Sequence, residues 1–439
     1  MPYFANLREH CSSFYQRLWN ELEQVKIIDT HEHWRPPNEW AEVIEKTGFM
    51  LPEVFNGSYL YLHPSQITTE GWLKQIHRYA ATGYMKGMLW AIEDLYGLEP
   101  PVTVDYLEHL DALLKEAYQD DPWGHVKEII ENRMHVEVAI QDIDIDTHLE
   151  MSQRIPAIHA AAGIPTVLSA IQVPRKITPA SGILYRFAAE HLGMQPDDFH
   201  GLDDYCIATD KMLEYFKSSG NYICLKNQCA YWRPLYFPEP DEDKKIVERL
   251  FNAPVKDERD VWKFGDYMFH HVLEWISLNW KVPVQMHTGI ARMLFGDSNA
   301  LNMSHMFEKF PDLKFDLFHG NYPFNNLGGM LHQIPNVCAD LCWLPLASPT
   351  ACQRALLELI ELGSMAGLAN DTVPVERTSV YGGDCHCVEG SYGALLMAKD
   401  VVIRTIEELH ERGHVVSEAD AIDLAEQVLH ESPKKLFCS

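Results

Sequence analysis

The sequence of 439 residues predicts an α/β fold, a (β/α)8 TIM-type barrel of eight parallel strands, and three observations carry that expectation. An apolar run of strand type, Val25-Lys26-Ile27-Ile28, leads into Asp29-Thr30-His31-Glu32-His33, where two histidines stand one residue apart. From residue 135 onward, short β-rich runs alternate with helical segments, which is the rhythm of βαβ units and a parallel sheet. Several of those runs end in a side chain able to bind a metal, and barrels of this class carry their chemistry at the carboxyl ends of their strands.

Taken in order, the chain opens with MPYFANLREHCSSFYQRLWNELEQ, which has the pattern of an amphipathic helix and lacks the basic and apolar regions of a signal peptide. In the first strand, residues i and i+2 face the same way, so His31 and His33 aim two imidazoles at one point. Arg35-Pro36-Pro37 then breaks regular structure. Residues 38–130 hold segments of helical spacing, such as GWLKQIHRYAATGYMKGMLWAIEDLYG and VDYLEHLDALLKEAYQ, and no strong strand. They read as a long helical insertion after strand one, serving either as a lid or pocket wall or as an oligomer contact. The remaining strands are expected at His135–Ile140, Pro165–Ile171, Tyr222–Lys226, Val282–His287, Leu313–His319, Val337–Leu341 and Thr378–Asp384. The tail from Tyr392 reads as helices on the outside. No low-complexity or Gly/Ser tract divides the chain, so residues 1–439 are expected to form one domain.

Composition narrows the function. A formal net charge of -27 argues against a nucleic-acid backbone or an anionic membrane as partner and says little about a small-molecule substrate, which is the partner expected. No apolar run reaches the roughly 18 residues a membrane span needs. The ten cysteines show no CxxC spacing and read as reduced thiols in a cytoplasmic protein. There is no GxxxxGK[ST] loop, no GxGxxG after a strand and no GxSxG elbow, so nucleotide-driven and serine chemistry lack support.

The strand ends hold the candidates: His31 and His33 on strand one, Lys226 on four, His287 on five, His319 on six and Asp384 on eight. Singly, each has an ordinary explanation. A histidine at a strand end is most often a hydrogen-bonded structural residue, and a lysine there is usually solvated. Jointly, they would converge on the top of the barrel, where imidazole and carboxylate suit zinc first, then manganese or iron(II). Substrate contacts are expected from loops after strands: Arg175 and Lys176, Tyr231 and Arg233, and Trp343. Arg175 and Arg233 could grip a carboxylate through paired hydrogen bonds, which makes an acidic substrate plausible. Trp34 and His386 neighbour the expected ligands. Thr30, Gln285 and Thr288 read as packing or capping. Glu389 either orients a ligand or places charge at a helix N-terminus.

The stretches LKNQCAYWR, PVQMHTG, FDLFHGNYPFNNLGGML and GGDCHCVEGSYGA, with the HxH, resemble the amidohydrolase superfamily. Within it they look like the amidohydrolase-related (amidohydrolase 2-like) branch, and some features resemble the uronate isomerases. The resemblance implies that His31, His33 and Asp384 hold one divalent metal. His287, and in two-metal members also His319, would complete a second site, with one or two metals per chain. Lys226 could be carboxylated and bridge two metals, which requires a neutral, desolvated amine. Asp384 would take a proton from a metal-activated water and pass it to the leaving group. The implied function is hydrolysis of a C–N or C–O bond (amide, lactone or ester) in a small polar, acidic molecule. Non-oxidative decarboxylation and uronate-type isomerisation are the alternatives, with a non-catalytic binding barrel as a reading from another class. A homo-oligomer is expected.

Overall fold

The computed structural model describes residues 11–143, 149–163, 183–231, 233–240, 244–250, 258–290, 296–363 and 373–438. Eight strands lie in sequential order in one parallel sheet: β1 (Ile27–Glu32), β2 (Val136–Ile143), β3 (Ile158–Gly163), β4 (Tyr222–Asn227), β5 (Val284–Met286), β6 (Phe315–Leu317), β7 (Val337–Asp340) and β8 (Thr378–Ser379). Helices run between them, so the predicted (β/α)8 barrel is the observed fold.

The barrel closes just past the short β8. Thr30 donates both its amide (3.2 Å) and its hydroxyl (3.0 Å) to the Tyr381 carbonyl, and the Asp384 amide donates to the His31 carbonyl (2.9 Å). Closure depends on Gly383, where a Cβ would lie 2.0 Å from Glu32 Oε1. Any side chain there would push the last strand off the first.

One strand falls elsewhere than expected. The third is Ile158-His159-Ala160-Ala161-Ala162-Gly163, upstream of Pro165–Ile171, which lies outside the described residues. An alanine run is a poor strand signal, but here it sits between β2 and β4, with Ala160 against Gln141 and Ala161 against Cys224. Position between two strands outweighs intrinsic preference.

The opening helix spans Ser13–Leu22, capped by the Ser12 hydroxyl accepting from the Tyr15 amide (3.0 Å), with Tyr15, Leu18, Trp19 and Leu22 buried. The insertion between β1 and β2 is helical throughout its regular elements, the longest being Gly83–Tyr96 and Val104–Asp120. It packs on the helix Val388–Glu411 that follows β8. At their crossing a Cβ on Gly393 would lie 2.5 Å from the Gly87 carbonyl, so the two helices meet backbone to backbone. Glu389 locks the same contact. Its carboxylate accepts from Tyr96 Oη (2.8 Å), Tyr118 Oη (3.0 Å) and His125 Nε2 (3.0 Å), all from the insertion. Glu389 is fully buried, and its carboxylate anchors the insertion to the barrel; it is not a group that orients a metal ligand. Among the described residues no helix is long and apolar enough to cross a membrane.

Candidate metal centre

The predicted ligands gather at the carboxyl ends of the strands in two banks. In the first, His31 Nε2 and His33 Nε2 lie 3.2 Å apart, and both face Asp384 Oδ1 at 3.4 and 3.1 Å. His31 on β1 and His33, one residue past its end, deliver the imidazoles, and the Gly382-Gly383 pair leads the carboxylate against them. Burial opposes ionisation of Asp384, but hydrogen bonds from His31 and His33 hold its carboxyl well below the usual range. Burial likewise keeps His31 neutral, reinforced by Lys226, whereas the Asp384 hydrogen bond outweighs burial at His33 and raises it.

In the second bank, His319 Nε2 lies 3.3 Å from His287 Nδ1. The opposite nitrogens are bonded to carbonyls: His319 Nδ1 to Cys342 O (2.9 Å) and His287 Nε2 to Ile290 O (2.9 Å). A carbonyl only accepts, so those nitrogens carry the protons, and the two facing nitrogens are bare lone pairs when the rings are neutral. Burial ensures that neutrality, pushing His319 down to about 4 and His287 well below its ordinary value. Two lone pairs aimed at each other repel unless a cation takes them up. The donors therefore fit a divalent ion, and carbonyl-oriented imidazoles are what metal sites use.

The backbone around these donors is strained. His319 (φ 60°), Asn321 (53°), Trp343 (62°) and Asp384 (54°) adopt left-handed conformations that side chains disfavour, and so does Tyr59 (64°). Such outliers cluster at functional sites and persist where neighbours over-determine them. Thr288 Oγ1 donates to Phe318 O (2.7 Å) and Gln285 Nε2 donates to Thr30 O (2.8 Å), so both brace the residue beside a predicted ligand. The Trp343 amide donates to Gly382 O (2.9 Å), tying the β7 and β8 ends together.

Lys226 is buried, and its Nζ has no hydrogen-bond partner among the described residues. It rests over the Phe318 ring, 3.3 Å from the centroid. Burial lowers its pKa, opposed by the nearby carboxylates Asp142 and Asp384.

Of the predicted substrate residues, Tyr231 lies tilted 4.3 Å from His287 and Trp343 lies 5.1 Å from His319, ring centroid to ring centroid. Arg175 lies outside the described residues. Arg233 does not face the cluster as a free cation. It is 3% exposed, paired with Asp266, and donates to the carbonyls of Pro234, Trp262 and Tyr236. Four of its five N–H donors are thus engaged in holding the loop after β4 to helix Glu258–Asn279. His386 stands 5.3 Å from His33 by ring centroid, and Trp34 is buried, donating to Ser391 Oγ (2.7 Å).

Several residues at the cluster escaped the sequence. Asp142, at the end of β2, is hydrogen-bonded by Gln228 and interacts with His33 and Lys226. It obeys the same strand-end rule that picked out the others. Tyr59 and Tyr84 come from the insertion and pack on Trp343 at 5.9 and 6.1 Å. Tyr59 Oη donates to the Asp384 carbonyl, 2.5 Å away. No local signal marks Tyr59, because its partner is 325 residues away. The insertion therefore forms a wall of the site. Removing that hydroxyl in Tyr59→Phe is expected to cost about 1 kcal/mol of stability in a denaturant titration. An unchanged midpoint would show that the bond does not brace Asp384.

Comparison with known proteins agrees with this fold. Residues 258–365 match the family model described as Amidohydrolase. No curated protein sequence matches the chain. Among solved structures, a uronate isomerase from Thermotoga maritima superposes with a TM-score of 0.74 at 15% identity, over 97% of this chain and 98% of that one. A glucuronate isomerase from Caulobacter crescentus gives 0.70 at 14%, over 97% and 94%. A presumptive metal-dependent hydrolase from Lactobacillus casei ATCC 334 gives 0.65 at 17%, over 96% and 97%. At these identities the likeness is one of fold.

Proposed function

We propose that this barrel, an enzyme of the amidohydrolase superfamily, is a metal-dependent hydrolase that cleaves a C–N or C–O bond of a small polar molecule. The observation that carries this reading is the gathering of His31 and His33 at the end of β1 against one ionised carboxylate, beside the bare facing nitrogens of His287 and His319 just past β5 and β6. His31, His33 and Asp384 would hold the first ion, with His287 and His319 beside them; zinc suits this donor set best. A divalent ion there supplies Lewis acidity to a substrate carbonyl and acidifies water.

The chain's own groups do the rest. Asp384, kept ionised by its histidines, accepts the proton of the attacking water at Oδ and returns it to the leaving nitrogen or oxygen. The products are an acid and an amine or alcohol. Tyr59 and the His31 carbonyl fix the Asp384 backbone, so the proton is handled at one position. Tyr231 and Trp343 flank the second bank and form apolar sides of the substrate space.

We read Lys226 as an amine that meets substrate negative charge and not as a carbamate. A carboxylated Lys226 would set an anion against the electron-rich face of Phe318. Metal content measured without chelators is then expected to be the same in Lys226→Ala as in the parent, while KM for an acidic substrate rises. Loss of a metal in the variant would restore the carbamate.

Isomerisation of a sugar acid is the second reading, favoured by the hydroxyls of Tyr59 and Tyr84 beside the cluster, which suit a polyhydroxylated chain. Assay of the metal-loaded protein on panels of amides, lactones, esters and uronates separates the two by product. Turnover that survives complete metal removal would sink both. A reducing, cytoplasmic location is also proposed, supported by ten free cysteines.

A further inference from the structure

Cys342 stands two residues past the end of β7, fully buried, among the predicted ligands. One ligand atom from each of His319, Cys342 and Asp384 lies within 4.8 Å of the other two. The same holds for His31, His33 and Asp384, so the carboxylate of Asp384 is common to both trios.

The thiol is unlike its neighbours. Cys385 donates to the Gly383 carbonyl (3.2 Å) and Cys387 to the Val54 carbonyl (3.4 Å). Cys342 Sγ has no hydrogen-bond partner among the described residues, although its backbone is fully engaged. Its amide donates to Asp340 Oδ1 (2.8 Å), and its carbonyl takes the His319 Nδ1 proton. That second bond is itself informative, because it holds His319 Nε2 bare and fixes the imidazole to the residue that carries the thiol. Gly382 keeps the thiol in place from the other side: a Cβ there would lie 3.0 Å from both Cβ and Sγ of Cys342. The sulfur is thus set between the β6 histidine and the β8 carboxylate by three separate elements.

We propose that Cys342 is a sulfur ligand to a second divalent ion, held with His319 Nε2 and the shared Asp384 carboxylate. The inference rests on the metal reading above and deepens it. Binding exchanges a proton for the ion: the Cys342 S–H bond breaks, the sulfur keeps the electron pair as thiolate donor, and the proton leaves to solvent. A mixed nitrogen, sulfur and oxygen donor set selects zinc, cobalt(II) or iron(II) and discriminates against magnesium and manganese. The two ions also differ in charge. The first faces two neutral imidazoles and a shared carboxylate. The second gains a thiolate, which neutralises more of its charge and suits it to positioning Asp384 and substrate. Lys226 is not required for this second site.

Cobalt(II) reconstitution of the metal-free protein tests the assignment without any substrate. The parent is expected to take up about two cobalt ions and to show a thiolate-to-cobalt charge-transfer band in the near ultraviolet beside the visible cobalt bands. Cys342→Ser should lose the charge-transfer band and about half the bound cobalt while keeping visible bands from the first site, and Lys226→Ala should keep the band. Visible bands without a charge-transfer band in the parent, or a band that survives in Cys342→Ser, would overturn the sulfur ligand and leave the metal reading standing. Failure of the parent to bind cobalt at all would overturn both. Should Cys342→Ser not fold, zinc X-ray absorption on the parent decides the matter: a sulfur scatterer at about 2.3 Å is expected, and nitrogen and oxygen scatterers alone would refute it.

Discussion

Turnover is expected to fall by about a hundred- to ten-thousand-fold when Asp384 is replaced by Asn, with the fold retained. The carboxylate is the only group shared by the two trios of candidate ligands, and its Oδ1 lies 3.4 and 3.1 Å from the Nε2 atoms of His31 and His33. Asn offers one oxygen without charge, so it neither takes a proton from water nor balances an ion. The retained fold follows from the backbone. The amide of residue 384 donates to His31 O, and its carbonyl accepts from Tyr59 Oη, and neither bond uses the side chain. The αL conformation at this position also suits Asn as well as Asp. The check is steady-state kinetics on a variant whose thermal unfolding matches the parent. A folded, metal-loaded Asp384→Asn protein with near-normal turnover would end the proton-transfer role.

The largest effect on stability is expected at Glu389. Glu389→Ala should lower stability by about 3 kcal/mol, because it leaves two buried tyrosine hydroxyls and a histidine without their acceptor. Loosening should concentrate in the insertion, and hydrogen exchange on Gly83–Tyr96 and Val104–Asp120 would show it. The pH dependence carries a sign. Burial alone would raise the Glu389 carboxyl, but the His125 hydrogen bond, supported by Tyr96, holds it below its ordinary value. A depressed carboxylate contributes stability above the unfolded pKa of about 4.3 and loses it as pH falls through the folded value. The parent insertion should therefore loosen on acidification below about pH 4, and Glu389→Gln should remove that acid limb. Uniform exchange in parent and variant would mean that the anchor lies elsewhere, with the Gly87–Gly393 crossing the next contact to examine.

Much of the site was legible because barrel chemistry follows a local rule. A donor at the carboxyl end of a strand points to the centre, so His31, His33, His287, His319 and Asp384 could be picked out one strand at a time. The same rule would have found Asp142 and Cys342, which also stand at strand ends but are flanked by more conspicuous residues. Arg233 went the other way. A loop arginine after β4 reads as a substrate clamp until helix Glu258–Asn279 is seen to place Asp266 against it. Glu389 does stand in the first turn of helix Val388–Glu411, as the charge-placement reading has it, but its anchoring partners come from an insertion with no recognisable motif. The third strand was missed because Ala160-Ala161-Ala162 has weak strand preference, and only its position between β2 and β4 makes it one.

By itself the sequence determined the architecture and most of the strands and proposed the donors, since each rests on periodicity or on spacing within a few residues. Only the tertiary structure decided which nitrogens are bare, which cations are already paired and which wall the insertion builds. Those depend on partners dozens to hundreds of residues away: Cys342 O for His319, Asp266 for Arg233, Tyr59 for Asp384. A hydrogen bond or ion pair acts over a few ångströms in space, and separation along the chain does not report that distance until the chain has folded.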